Sequence, residues 1–149
     1  NPDRLGTIGG SAGGHLVAIL GTSYKAEKLE GSGGNPGVSS RVQAVVAMAA
    51  VTEFTTFGDR MQLSKEDAAL ISPVTYVDKD SAPLLLLHGD GDKLVPLKQS
   101  EILLAKYKEA AAPAELFTFK GAGHGFWTQD PAFTETMDRA ATFFREKLK

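Results

Sequence analysis

The chemistry that this sequence can support centres on a serine set among glycines. Gly9–Gly13 reads GGSAG and fits the pattern G-x-S-x-G, with Ser11 as the middle residue. A short apolar segment, Arg4–Ile8, precedes it, and apolar residues at helical spacing follow it. On so sharp a strand-to-helix turn, a strained backbone lifts the serine hydroxyl clear of the sheet. We therefore predict Ser11 as a nucleophile and the Ala12 N–H, at the helix N-terminus, as an oxyanion donor. The alternative is a plain glycine-rich turn.

A nucleophilic serine needs a base, and the chain has three histidines. His15 lies one helical turn after Ser11, on a helix that points away from the hydroxyl, so packing or hydrogen bonding is its expected role. His88 ends a buried apolar segment and is expected to be a core histidine with satisfied hydrogen bonds. His124 lies in the glycine-rich segment Gly121–Phe126, whose backbone freedom lets an imidazole reach across the sheet. We predict His124 as the base, with a histidine in a surface loop as the alternative.

Two aspartates compete as the acid that orients this imidazole. They lie in His88–Pro96, which reads HGDGDKLVP. Asp90 falls inside the turn, where a carboxylate usually caps backbone N–H groups. Asp92 falls further out, nearer the loop of His124, and we predict that it stabilises the charged imidazole. A Ca²⁺ loop is the alternative for aspartates so spaced, but a third oxygen ligand and the distal Glu are missing, and we expect no metal.

The elements that must position these residues alternate between strands and helices. Apolar runs predict strands at Arg4–Ile8, Val42–Val51, Ala82–His88 and Glu115–Lys120. Periodic apolar residues and cap signals predict helices at His15–Tyr24, near Lys65–Ile71, at Pro96–Ala111 and from Pro131 to about Lys147. The pattern is typical of an α/β fold, a mostly parallel sheet with helices on both faces. Ligands of such sheets bind at the carboxyl ends of the strands, where the three motifs lie.

Helical spacing also predicts which residues face the sheet. The inward residues are expected to be Leu16, Ile19 and Leu20 in the first helix, Ile102, Leu103 and Tyr107 in the third, and Met137, Ala141 and Phe144 in the last. The glycine-rich stretch Ala26–Ser40 predicts a loop.

Composition narrows the classes of function. The 149 residues include 16 Lys and Arg against 18 Asp and Glu, a balance that removes nucleic acid and acidic membrane surfaces as default partners. The absence of cysteine excludes disulfides, thiolate metal sites and a cysteine nucleophile. The apolar runs are far shorter than the roughly 20 residues that a membrane span needs. The length suits one domain, residues 1–149.

The three motifs occur in the order serine, aspartate, histidine, which is that of α/β-hydrolases. Gly9–Leu16 (GGSAGGHL) resembles the nucleophile turn of esterases and lipases in this superfamily, among them the hormone-sensitive-lipase-like and the acetyl-xylan or feruloyl esterase-like groups. His88–Pro96 is similar to their acid loop, in which the second aspartate is the triad member, and Gly123–Phe126 resembles their histidine loop. The resemblance implies a serine ester hydrolase without a cofactor. It would act on short acyl or carbohydrate-linked acetyl or feruloyl esters through an acyl-enzyme on Ser11.

Details of the motifs bear on the substrate. Prolyl-oligopeptidase-like peptidases share this layout but typically carry Tyr where Ala12 stands, which favours an esterase over a peptidase. Phe126 and Trp127 follow His124 and are predicted to line the substrate pocket, with packing as the alternative. Thr52–Asp80 is too short for a large lid, so we expect an accessible site and small-molecule esters.

One part of the family pattern has no counterpart in the chain. Such enzymes place the nucleophile turn after the fifth strand, and an upstream loop supplies further oxyanion donors. Here the turn begins at Gly9, so we expect a partial fold, the C-terminal half of an esterase. An edge of the first strand would be bare, and bare edges invite pairing with another chain. The partners expected are therefore an N-terminal half or a second copy. The alternatives to an active esterase are an impaired fragment that self-associates or a peptidase fragment. Nothing indicates a cellular location.

Overall fold

Strands and helices alternate along residues 1–57 and 61–149, the part of the chain that the computed structural model describes. The strands are β1 (Gly6–Gly10), β2 (Ala44–Met48), β3 (Leu84–Gly89) and β4 (Ala114–Phe119). The α-helices are α1 (Ala12–Thr22), α2 (Glu27–Glu30), α3 (Phe54–Phe57), α4 (Lys65–Leu70), α5 (Lys98–Glu109) and α6 (Ala132–Lys147). Short 3₁₀ helices lie after α4, at Pro73–Thr75, and before α6, at Phe126–Thr128. Of the segment predicted to be too short for a large lid, residues 58–60 lie outside the described part.

The four strands form one parallel sheet in the order β1-β2-β3-β4, which confirms the predicted α/β class. Because every strand runs the same way, the loops that carry the three motifs leave the same edge of the sheet. Every residue of β2 and of β3 is buried. Such continuous burial is expected of parallel strands that helices cover on both faces.

Each face of the sheet has its own apolar core. On one face, α1 and α5 pack on the strands through Ala18, Leu103 and Tyr107. On the other face, α6 packs through Ala140 and Phe143. None of the described helices is long and apolar enough to cross a membrane.

The predicted start of the first strand is wrong by two residues. The strand runs over Gly6–Gly10, so the two glycines assigned to a turn belong to it and pair with Ala47 and Met48 of β2. Gly9 is needed because a Cβ there would lie 2.3 Å from the Gly13 carbonyl oxygen. A Cβ at Gly10 would lie 2.5 Å from the Trp127 ring. Close approach, more than turn geometry, explains this pair of glycines.

The predicted inward face of the first helix is confirmed only in part, since Leu20 packs against the core but Leu16 does not. Leu16 is 62% exposed, whereas Ala18 is 1% exposed. The reason is that α1 lies too close to the strands for large side chains. A Cβ at Gly14 would lie 2.7 Å from the Met48 carbonyl oxygen, and one at Gly21 would lie 2.5 Å from Val45 Cγ2. Small residues therefore make the closest contacts with the strands. The prediction followed hydrophobicity and placed large apolar side chains there instead.

The last helix is rotated relative to its predicted face. The buried residues are Thr136, Ala140 and Phe143, whereas Met137 and Phe144 are half-buried and Ala141 is exposed. Two adjacent phenylalanines make the apolar stripe ambiguous by one residue, and a buried threonine gives no hydrophobic signal.

The predicted loop Ala26–Ser40 contains the short helix α2, since its EKLE sequence consists of good helix formers. The helix predicted near Lys65–Ile71 is present as α4.

Candidate active site

Ser11 occupies a strained position between β1 and α1. Its backbone has φ 56° and ψ −118°, a region that costs a non-glycine residue about 1–3 kcal/mol. The turn is held because the Ser11 N–H donates to the Met48 carbonyl at 2.8 Å and the His15 N–H donates to the Ser11 carbonyl at 3.0 Å. Strain that the surrounding structure maintains in this way is typical of functional positions.

Ala12 is the exposed first residue of α1, directly after the serine. The first N–H groups of an α-helix have no acceptor within the helix, and the helix dipole adds partial positive charge there. The predicted oxyanion donor therefore stands at an end that favours a negative charge beside Ser11.

The structure brings the three predicted side chains together. His124 Nε2 lies 2.9 Å from Ser11 Oγ, and His124 Nδ1 lies 2.7 Å from Asp92 Oδ2. An ionised carboxylate only accepts hydrogen bonds, so Nδ1 carries the proton and Nε2 is left to accept from the serine hydroxyl. This is the tautomer that a base acting on Ser11 requires.

Asp92 is held by its own loop. Its side chain is 0% exposed, and Oδ1 accepts hydrogen bonds from the N–H groups of Leu94 and Val95, each at 2.9 Å. Burial by itself would raise the pKa of the Asp92 carboxyl. The hydrogen bonds from Val95, His124 and Leu94 outweigh burial and hold this pKa below its usual value. The carboxylate is therefore charged at neutral pH, and its Oδ2 is available to accept the hydrogen bond from His124 Nδ1.

Asp90 has a different position. Its carboxylate accepts a hydrogen bond from the Gly121 N–H, at the start of the histidine loop. The two loops touch through their backbones nearby, because a Cβ at Gly89 would lie 2.2 Å from the Ala122 carbonyl oxygen. Asp90 thus joins the acid loop to the histidine loop and lies outside the Ser11–His124–Asp92 chain.

The other two histidines make separate contacts. His15 Nε2 lies 2.8 Å from the Ile71 carbonyl oxygen, and its ring meets Phe54 edge-on with centroids 4.9 Å apart. His88 is fully buried, with Nδ1 2.7 Å from Ser100 Oγ and Nε2 2.9 Å from the Val95 carbonyl oxygen. Sequence reasoning expected a satisfied core histidine at position 88 but gave no sign that its partner is in the acid loop.

The two aromatic residues predicted to line the substrate pocket differ in their surroundings. Phe126 is 8% exposed and packs in the core under α6, with its ring centroid 4.5 Å from that of Phe119. Its place is therefore in the core, because the 3₁₀ turn points it inward. Trp127 is half-buried and meets the His124 ring edge-on, with centroids 5.7 Å apart. Of the pair, only Trp127 lies beside the candidate triad.

No group of three His, Asp or Glu side chains within residues 1–57 and 61–149 is arranged to hold a metal ion.

Known esterases are similar to this chain in sequence and in fold. "Probable carboxylic ester hydrolase LipM" of Mycobacterium tuberculosis is 32% identical over 120 residues, which are 67% of this chain and 27% of that protein. A structure described as "Truncated form of carbohydrate esterase from gut microbiota" superposes with TM-score 0.81 and 29% identity, over 100% of this chain and 61% of that one. Propionate-bound esterase Est2 of Thermogutta terrifontis superposes with TM-score 0.84 and 26% identity, over 97% and 56%.

The chain thus spans about a quarter of LipM and somewhat more than half of the two solved esterases. These matches confirm the resemblance to α/β-hydrolase esterases and the partial fold. The profile of the BD-FAE family matches residues 1–107, well over half of the 149 residues. The chain therefore belongs to the BD-FAE family.

Proposed function

We propose that this chain carries the nucleophile, base and acid of a carboxylic ester hydrolase that works through an acyl-enzyme on Ser11. The observation that supports it is the continuous pair of hydrogen bonds from Asp92 through His124 to Ser11, at 2.7 and 2.9 Å. A serine in hydrogen-bond reach of an imidazole that a buried carboxylate orients is the arrangement that activates a hydroxyl. The esterase relatives favour an ester over an amide as substrate.

In the proposed reaction, Ser11 Oγ attacks the ester carbonyl carbon while its proton passes to His124 Nε2. The Ala12 N–H stabilises the oxyanion of the tetrahedral intermediate. His124 then gives the proton to the leaving alkoxide, the alcohol departs, and the acyl group stays on Ser11. Water attacks this acyl-enzyme and gives a proton to His124, which returns it to the serine as the carboxylic acid leaves. Throughout, Asp92 stabilises the charged imidazole.

The rate should depend strongly on oxyanion stabilisation. Among the described residues we assign one backbone donor to this role, the Ala12 N–H. Loss of one donor typically costs about 10²–10³-fold in kcat. We therefore expect the chain alone to turn over esters slowly, and faster when a partner segment supplies a second donor.

For the substrate class, we propose esters with a short acyl group, including acetyl groups on carbohydrate. The carbohydrate esterase and the propionate-bound esterase among the relatives favour this choice. The half-buried Trp127 ring beside His124 offers an apolar surface for such a group.

The test is hydrolysis of p-nitrophenyl acetate against that of p-nitroacetanilide, its amide counterpart. We expect measurable ester hydrolysis and no amide hydrolysis, and we expect Ser11→Ala to reduce the ester rate to background. Ser23→Ala, at the far end of α1, is the matched control and should keep the wild-type rate. Ester hydrolysis that Ser11→Ala retains, or a faster amide reaction, would contradict the proposal.

A second candidate is a catalytically weak chain that associates with a second copy through β1. Within the described residues, nothing pairs with the outer side of this strand. The apolar side chains of Leu5, Ile8 and Leu16 around it are 44%, 41% and 62% exposed. Light scattering after size-exclusion chromatography tests this candidate. A dimer that Ile8→Lys dissociates would support it, and a monomer at high concentration would exclude it.

A further inference from the structure

His88 is a buried histidine that the proposed reaction does not use, at the carboxyl end of β3. Both ring nitrogens have partners, Ser100 of α5 at 2.7 Å and the Val95 carbonyl at 2.9 Å. A carbonyl only accepts, so Nε2 carries the proton, and Nδ1 accepts from the Ser100 hydroxyl. The imidazole therefore links helix α5 to the acid loop with a defined direction for each hydrogen bond.

Val95 connects this link to Asp92. The Val95 carbonyl accepts from His88, while the Val95 N–H donates to Asp92 Oδ1 at 2.9 Å. His88 Nε2 also lies 3.6 Å from Asp92 Oδ2, the oxygen that accepts from His124 Nδ1 at 2.7 Å. The carboxylate thus has the loop backbone on one oxygen and two imidazoles near the other.

We propose that His88 is a positioning residue, which holds the acid loop so that Asp92 presents Oδ2 to His124. The proposal rests on the proposed function, since it assigns a purpose to the geometry of the triad. The hydrogen-bond partners of His88 are the Ser100 hydroxyl and the Val95 carbonyl, so we place it outside the reacting groups. Its effect passes through Val95 and the carboxylate.

The charge of His88 agrees with this role. Burial lowers the pKa of His88, and the Val95 carbonyl and the Asp92 charge oppose that effect only in part. Asp92 and His124 are the titratable side chains that act on it electrostatically. A neutral His88 donates a hydrogen bond without competing, as a second cation, for the carboxylate that must stabilise the charged form of His124 during the reaction.

A histidine in this position needs an explanation beyond packing. The four residues before it in β3 are leucines, all buried, so an apolar residue would suit the core. A buried polar ring costs free energy unless it is hydrogen-bonded, and this ring has found partners on two different elements. Orientation of the acid loop is what those hydrogen bonds provide.

The test compares His88→Leu, His88→Gln and Ser100→Ala with Leu103→Val, a control in the buried face of α5 that loses packing but no hydrogen bond. The first measurement is the rate at which a fluorophosphonate labels Ser11, from pH 5 to 9. The second is the downfield ¹H NMR signal of the proton between His124 and Asp92, which does not depend on activity.

We expect His88→Leu to lower the labelling rate by about 10²-fold, because small displacements of catalytic groups have effects of this size. The acid limb of its pH profile should move, and the downfield proton signal should broaden or disappear. His88→Gln should recover part of the rate, since its amide can donate to the Val95 carbonyl. Ser100→Ala should have a smaller effect in the same direction, and Leu103→Val should change neither the pH profile nor the proton signal.

A His88→Leu protein that is folded, labels with the wild-type pH profile and keeps the downfield proton would overturn the proposal. If His88→Leu does not fold, the decision passes to His88→Gln and Ser100→Ala, and a wild-type profile and signal in both would overturn it equally. If the wild-type chain does not label at Ser11, the proposed function fails by itself. The proton signal then still shows whether His88 orients the carboxylate.

Discussion

The two sides of the candidate site differ in how completely this chain supports them. On the acid and histidine side, β3 is buried at every residue, and the Asp92 side chain is 0% exposed. On the nucleophile side, β1 is exposed or half-buried along its length, and Ile8 is 41% exposed. The Ser11 N–H donates a hydrogen bond to the Met48 carbonyl of β2, on the inner side of the strand.

The difference separates two requirements of the proposed chemistry. The hydrogen-bonded chain from Ser11 through His124 to Asp92 needs only the loops after β1, β3 and β4, and hydrogen bonds within the described residues hold those loops together. Stabilisation of the oxyanion needs donors around Ser11, on the side where the sheet is open. We therefore expect an activated serine with a low turnover rate.

The largest effect is expected when the Asp92 carboxylate, on the acid and histidine side of the site, is replaced by an amide. Asp92→Asn should lower the rate of Ser11 acylation by about 10⁴-fold, the loss known for the matching change in a Ser-His-Asp enzyme, because the amide favours the wrong imidazole tautomer. Asp90→Asn is the matched control and should cost less than about tenfold, since an amide oxygen can still accept from the Gly121 N–H. Equal losses, measured as stopped-flow acylation rates, would refute the choice of Asp92 over Asp90.

A second prediction concerns the turn on the open side. Gly9→Ala places a Cβ 2.3 Å from the Gly13 carbonyl oxygen, and we expect it to lower the free energy of unfolding by about 3 kcal/mol. Gly13→Ala is the control, because a Cβ there meets nothing within 4 Å. It should change stability by less than about 1 kcal/mol, and by helix propensity should raise it. Urea unfolding of both variants checks this prediction, and similar destabilisation would mean that the close approach at Gly9 is not what shapes the turn.

A third prediction is a two-step loss of stability in acid on the packed side. Burial lowers the pKa of His88, so the folded state favours its neutral form, and stability should begin to fall as the pH drops below about 6.5. The pKa of Asp92 is lowered by its hydrogen bonds despite burial, so its contribution is full above about 3.9 and is lost below that pH. In urea midpoints measured from pH 7.5 to 3, His88→Gln should remove the first step and keep the second. A first step of unchanged size in His88→Gln would assign it to another group.

The smallest effect on stability is expected at the open edge. Ile8→Lys should change the free energy of unfolding by no more than about 0.5 kcal/mol, since its side chain is 41% exposed. It should nevertheless reduce association, because a lysine on an edge strand discourages pairing. Val38→Lys is the control, with 73% exposure in the glycine-rich loop outside the sheet. Analytical ultracentrifugation of both variants measures the contrast, and equal association constants would show that β1 is not the contact.

The local motifs made much of this site predictable. A serine between glycines at a strand end and a histidine in a glycine-rich loop are patterns of neighbouring residues, so the meeting of these two side chains could be predicted without coordinates. The choice between Asp90 and Asp92 also followed from position in the turn. These inferences depend on turn geometry, which short sequences encode well.

Contacts between distant residues that no recognisable motif marks were beyond such reasoning. The small-residue face of α1, where Ala18 and not Leu16 meets the sheet, depends on how closely the helix approaches β2. The hydrogen bond from His88 to the Val95 carbonyl joins the two ends of the acid loop, so it can be inferred only when the conformation of that loop is known. The burial of Phe126 depends on a 3₁₀ turn, which no periodic pattern of apolar residues predicts.

We propose above all that His124 and Asp92 activate Ser11 within this chain. The most direct test is mass spectrometry after treatment with a fluorophosphonate, with the modified residue located by peptide mapping. We predict a single adduct on Ser11, absent from Ser11→Ala and strongly reduced in His124→Ala and Asp92→Asn. An adduct that persists in Ser11→Ala, or labelling of Ser11 that is equally fast in His124→Ala, would contradict it.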